Sequence, residues 1–289
     1  MRATIVNQSL VTAYVNVFSS GPRFDEGNSA IVTYGQMYID PAIHQELCTR
    51  LAANNSVHII PTSLPNHFKL MFSCRSSPTV FCGHACLAAT KFVFDAGYAF
   101  NAASFSCDYL KGSVITATLD HNSTVKITFP QTGFGSFEYL PPPQYFAAMG
   151  VEPVITYRNE LGDCISIVEP TKPLYKYWAG IDTTALEVIS KQLGIRGSGL
   201  TMRSTRKDND YDVVYTAPTC GIEQDICVSF ANSLALLWHK LEGKNDIVLD
   251  YTYQQRTSIP CAIGKDSITI LGKTHTVFSG GSLRIEERL

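Results

Sequence analysis

The sequence predicts an α+β protein of two homologous halves related by a pseudo-twofold, each half holding one buried helix. Three observations predict it. Residues 85–94 are apolar on nearly every face, with only Thr90 and Lys91 departing. A helix with no side to give to water belongs in a core. A second apolar helix at 230–241 follows Cys227 as the first follows Cys82. Third, Gly27 and Gly162, Asp40 and Asp182, and Cys82 and Cys227 stand 135, 142 and 145 residues apart, close to half of the 289-residue chain. Landmarks recurring in one order at nearly one spacing mark an internal repeat.

Taken in order, residues 12–18 alternate as a strand, and after the turn-rich SSGPRFDEGN residues 29–34 form a second. Asp40-Pro41 supplies an N-cap and a first-turn proline for a helix with Ile43, Leu47 and Leu51 on one face. Residues 56–61 and 69–74 are short strands, and a polar loop with Pro78 leads to Cys82-Gly83-His84 and the buried helix. Residues 104–107, 114–119 and 124–129 continue as strands. The Pro-rich stretch 133–144 joins the halves, giving expected domains of 1–132 and 133–289, with the last strands able to return to the first half. In the second half, ELGD at 160–163 and the apolar run 164–168 echo EGN at 26–28 and the run 30–32. Asp182 caps a helix carrying Leu186, Ile189 and Leu193 on one face. Residues 212–216 form a strand that leads through Pro218 and Gly221 to Gln224-Asp225-Ile226-Cys227.

Composition narrows the function. Hydrophobic content of 45% and charge of 17% are those of an ordinary globular protein. A net charge of -2 gives no basic field for nucleic acid. No apolar run reaches the roughly 18 residues of a membrane span, and the N-terminus alternates like a strand rather than a signal peptide. Nine cysteines without a CxxC pair suggest neither zinc nor a disulfide framework, so a cytoplasmic setting with reduced thiols is expected. No GxGxxG or phosphate-binding loop is present and no cofactor or metal is expected. The expected partner is a small-molecule substrate, with a homodimer left open.

The two cysteines are the chemical signal. Each stands where a buried helix starts, with unpaired N–H groups and the positive dipole end beside it, an anion site. If the halves face one another, both thiols point into one cleft, where ligands commonly bind. A two-base isomerase takes a proton from carbon on one face and returns one on the other, and a thiol at a helix start suits both tasks. That reading makes Cys82 and Cys227 the acid/base pair, with His84, Asn28 and Asp225 orienting substrate. The rival reading moves the proton on His84 and Asp225. A third keeps the cleft and binds a small molecule without turnover.

Three blocks resemble the PhzF-like proteins of phenazine biosynthesis, within the diaminopimelate-epimerase fold. They are FDEGNSAIV at 24–32, FCGHACLAA at 81–89, and the degenerate stretch 217–231. The resemblance implies two halves, each a curved, mostly antiparallel sheet around a central helix, with the active-site cleft between them. It implies a cofactor-independent isomerase or epimerase of a small carboxylate-bearing metabolite. Asn55 stands where PhzF isomerases carry a catalytic Glu, and an amide cannot shuttle a proton. The family's Thr-Gly-Ser at the second helix start is Val228-Ser229-Phe230 here, with Phe230 filling volume beside the backbone donors. A cysteine in each half matches the epimerase branch instead. The candidates are therefore Cys82, Cys227, His84 and Asp225 for catalysis, and Asn28, Ser29, Gly83, Asn55, Ser229 and Phe230 for substrate.

Overall fold

A computed structural model describes residues 10–23, 27–76, 78–220, 226–252 and 257–283. Six helices occur among them: α1 Pro41–Arg50, α2 Gly83–Asp95, α3 Pro143–Met149, α4 Leu174–Trp178, α5 Thr183–Leu193 and α6 Val228–Glu242. The caps are those the residues dictate. Asp40 accepts from Ala42 N at the start of α1, and Asp182 accepts from Ala185 N at the start of α5. Helix α2 buries every residue from Gly83 to Thr90, and α6 every residue from Val228 to Ala235. Both helices therefore lie inside the molecule.

The strands pair in the same order twice. In the first half Asn28–Tyr34 runs parallel to Asn55–Pro61, which is antiparallel to His67–Cys74, itself parallel to Ala103–Ser106. In the second half Cys164–Ile167 runs parallel to Ser198–Arg203, which is antiparallel to Tyr211–Thr216, itself parallel to Asp246–Tyr251. The loop after the third strand of each set leads to the buried helix, α2 or α6. The long strand Ser267–Leu283 ties the halves together. Its first residues pair with Thr124–Pro130 on one side and Thr257–Ile263 on the other, and its far end pairs with Leu10–Val17, closing the first half's sheet on itself. The fold is α+β, two repeated halves of mostly antiparallel sheet, each wrapped on a central helix.

Two local features add to what the sequence predicts. The inner face of α1 is His44 and Cys48, with Leu47 and Leu51 only half-buried at its margin. Apolar periodicity does not register a buried histidine, and His44 packs its ring against His58 at a centroid distance of 5.7 Å. The Pro-rich stretch is built into the second half, since Ser136–Glu138 pairs with Ile155–Asn159 and Pro143 opens α3.

Candidate functional site

The site is made where the two buried helices start. Gly83 allows it: a Cβ there would stand 2.6 Å from Val228 Cγ1 and 3.0 Å from Ser229 N. The first turns of α2 and α6 thus abut, and any side chain at 83 would force them apart. Cys82 and Cys227 are the N-cap residues, and neither helix start has a side-chain cap. The leading N–H groups, whose partners a helix cannot supply, therefore stand beside the thiols.

A narrow cavity of about 30 Å³ opens at this junction, lined by Cys82, His84 and Asn55 from the first half and Arg196, Tyr215, Cys227 and Ser229 from the second. Such a volume holds roughly two waters. Cys82 and Cys227 are only 6% and 7% exposed, so what they present is presented to the cavity.

On the first side, His84 Nδ1 lies 3.4 Å from Cys82 Sγ and 3.2 Å from Asn28 Nδ2. Asn28 Oδ1 accepts from Asn54 Nδ2 at 2.7 Å, and Asn28 Nδ2 also donates to the Ile226 carbonyl at 3.2 Å. That fixes the amide and makes Nδ1 the accepting nitrogen, so Nε2 carries the ring proton and lies 3.9 Å from Cys82 Sγ, while the Ser29 backbone is a further partner of the ring. Burial drives the His84 pKa down to about 4, so the ring is neutral near pH 7.

On the second side, the fully buried Asp163 receives Arg196 Nε at 2.8 Å, a second bond from Arg196 Nη2, Tyr215 Oη at 3.0 Å and Asn159 Nδ2 at 3.0 Å. Burial disfavours the Arg196 charge, but the Asp163 carboxylate outweighs it and raises the guanidinium pKa. Burial, reinforced by Asp163, raises the Tyr215 phenol well above its usual range. Arg196 Nη2 also donates to Ser229 Oγ at 3.0 Å, which lies 3.2 Å from Cys227 Sγ.

The structure therefore brings Cys82, Cys227, His84, Asn55 and Ser229 to one cavity, with Gly83 at the helix junction. Asn55 points its amide toward the Ser73 carbonyl at 3.5 Å. Asn28 and Ser29 stand behind His84 and do not line the cavity. Phe230 is not at the cavity: its ring lies over Gly199, where a Cβ would overlap it, and 4.7 Å from the Tyr215 ring. The reason is that Gly199 leaves a slot in the neighbouring strand, and burying the ring there is better than leaving it against helix-start donors. Asp225 lies outside the described residues. Sequence reasoning missed Arg196, Asp163, Tyr215 and Asn54. Only Asp163 had a signal, as the last residue of the ELGD turn that echoes the first half.

No family model matches the chain, and no curated protein matches it by sequence. Solved structures do match. A PhzF-family phenazine biosynthesis protein from Enterococcus faecalis has a TM-score of 0.73 at 18% identity, covering 96% of this chain and 100% of its own. A PhzF-family protein from Bacillus anthracis has a TM-score of 0.74 at 12% identity, with 96% and 100% covered. A hydroxyproline epimerase from Agrobacterium vitis, solved with trans-4-hydroxy-L-proline, has a TM-score of 0.60 at 12% identity, with 97% and 94% covered. The chain has the fold of PhzF-family proteins and of isomerase-type relatives such as this epimerase.

Proposed function

We propose that this chain is a cofactor-independent isomerase that inverts or shifts a carbon centre of a small carboxylate-bearing molecule by moving protons between that carbon and Cys82 and Cys227. The observation that carries the reading is two thiols, one from each half, on one cavity at two helix starts that lack side-chain caps. The substrate carboxylate accepts from the leading N–H groups of α2 and α6, and the same donors stabilise the enolate as its charge develops. One sulfur removes the proton from carbon and the other returns a proton on the opposite face. His84 and Asn55 line the wall, and Asn55, being an amide, leaves the proton transfer to the sulfurs. The ligand named in the hydroxyproline epimerase structure is a small cyclic amino acid, which fits the same substrate class.

A second reading, binding without turnover, is favoured by Asn55, an amide on the cavity wall that cannot shuttle a proton. One experiment separates the two. The protein is incubated in deuterium oxide with a panel of small amino, imino and hydroxy acids, and wash-in at carbon is read by mass spectrometry. Proton transfer predicts wash-in with one chemical series, abolished in both Cys82→Ser and Cys227→Ser. Binding in a thermal-shift assay without wash-in, or wash-in unchanged in both variants, overturns the thiol mechanism.

A further inference from the structure

We propose that Cys74 and Cys220 form a reversible disulfide across the edge of the cavity, and that this bond holds the two halves shut against substrate. The bond itself stands on the contact between the two thiols, and its effect on turnover rests on the isomerase reading.

Cys74 is the last residue of the strand His67–Cys74 in the first half. Cys220 ends the single turn Pro218–Cys220 that follows Tyr211–Thr216 in the second. Both line the cavity, and the Cys220 thiol is hydrogen-bonded to the thiol of Cys74. The backbone is held on each side of this contact. Ser76 Oγ donates across the halves to the Thr219 carbonyl at 3.2 Å, and Thr219 Oγ1 donates to the Arg196 carbonyl at 2.9 Å. Arg75 Nε donates to the Ala53 carbonyl at 2.8 Å, which steadies the loop beyond Cys74. From hydrogen-bond contact to the roughly 2.05 Å of a disulfide, the sulfurs move on the order of 1–2 Å.

Of the nine cysteines eight are buried, and Cys220 alone is partly exposed. Lining the cavity while meeting solvent, it stands at the cavity's edge. A thiol reached from solvent, with a second thiol behind it to resolve the first product, is the arrangement a reversible oxidation needs. Cys48 also lies near enough to Cys74 to act on its charge, but it is fully buried, so an oxidant does not reach it first. The hydrogen bond with Cys74, and then burial, raise the Cys220 pKa. Thiolate is therefore scarce at neutral pH, and the pair closes under sustained rather than brief oxidising conditions.

A small-molecule disulfide serves as the oxidant. The Cys220 thiolate attacks one of its sulfurs, that S–S bond breaks, and one small thiolate leaves. Cys74, having given its proton to water, then attacks Cys220 Sγ in the mixed disulfide, and the second small thiolate leaves. The two protein thiols lose two electrons, the small disulfide gains them, and two protons end on the two small thiols. A dithiol reductant reverses the exchange. A cavity of about 30 Å³ holds roughly two waters, so its walls part when a substrate enters. In the reduced chain the walls are joined here by hydrogen bonds, which break and re-form. The disulfide does not open with them.

The intact chain is incubated with oxidised glutathione, remaining thiols are capped with iodoacetamide, and the digest is mapped by mass spectrometry without reduction. The expected result is a peptide pair linked through Cys74 and Cys220, absent from Cys74→Ser and Cys220→Ser. Alkylation of Cys82 and Cys227 by a maleimide is expected to be lost in the oxidised chain and restored by dithiothreitol. In Cys220→Ser the same treatment leaves that alkylation at the level of the untreated variant. The proposal is overturned by a Cys48–Cys74 or Cys82–Cys227 link in place of the expected one, by glutathione held on Cys220 with Cys74 still reduced, by no oxidation, or by a link that leaves Cys82 and Cys227 as reactive as before. These readouts need no substrate. The expected link and protection without deuterium wash-in in the reduced chain condemn the isomerase reading alone, and wash-in without the link condemns only this inference.

Discussion

Arg196 matters at the scale of single residues because its partner Asp163 has no water to fall back on. Asp163 is fully buried and its oxygens are shared among Arg196, Tyr215 and Asn159. Removing one member of such a set leaves a charge uncompensated. Asp163→Asn is expected to lower unfolding free energy by about 3 kcal/mol, read from urea midpoints at constant slope. The buried histidines predict a pH dependence. Burial takes His44 and His84 from 6.5 down to about 4. The unfolded chain therefore binds more protons than the folded one between those values. Stability is complete above pH 6.5 and falls as pH drops toward 4, by roughly 3 kcal/mol for each histidine. His44 adds a cost, because neither ring nitrogen has a hydrogen-bond partner among the described residues. His44→Leu is expected to raise the urea midpoint at pH 5 and flatten the acid slope. A variant less stable than wild type at pH 5 would show that the imidazole has a partner after all.

At the scale of elements, the site depends on two helix starts meeting through a residue without a side chain. Gly83→Ala places a methyl against Val228 and the α6 backbone. The expected cost is about 1–3 kcal/mol in thermal or urea unfolding, accompanied by increased alkylation of both Cys82 and Cys227 as the junction opens. The elements were legible in the sequence wherever local chemistry decides them. Asp40-Pro41 and Asp182 announce their helices, and the all-round apolar runs behind Cys82 and Cys227 announce burial. The direction of Phe230 was not legible, because it depends on Gly199 in a strand 31 residues away in sequence. Nor was Arg196, which sits in a loop without periodicity and acquires its role only when Asp163 and Ser229 come to it from other elements.

At the scale of the whole molecule, the two halves repeat one pairing order yet share one strand. Ser267–Leu283 is hydrogen-bonded into both, so neither half completes its sheet alone. A chain ending at Asp266 is expected to lose cooperative unfolding for both halves together, followed by circular dichroism. A first half that still melts cooperatively would show that the shared strand is dispensable. The repeat itself could be read from three spaced landmarks, and a return of the last strands to the first half was open from the sequence, whereas the pairing of one strand with both halves was not legible, since nothing in residues 267–283 distinguishes a partner in the first half from one in the second. The account as a whole comes down to two sulfurs facing one carbon. The most direct measurement is a crystal structure with a small carboxylate substrate analogue bound. Attack from both faces needs each sulfur within about 3.5 Å of the carbon, so the account predicts Cys82 and Cys227 Sγ about 7 Å apart with that carbon between them. Both sulfurs on one side of the ligand, or either one turned out of the cavity, would contradict it.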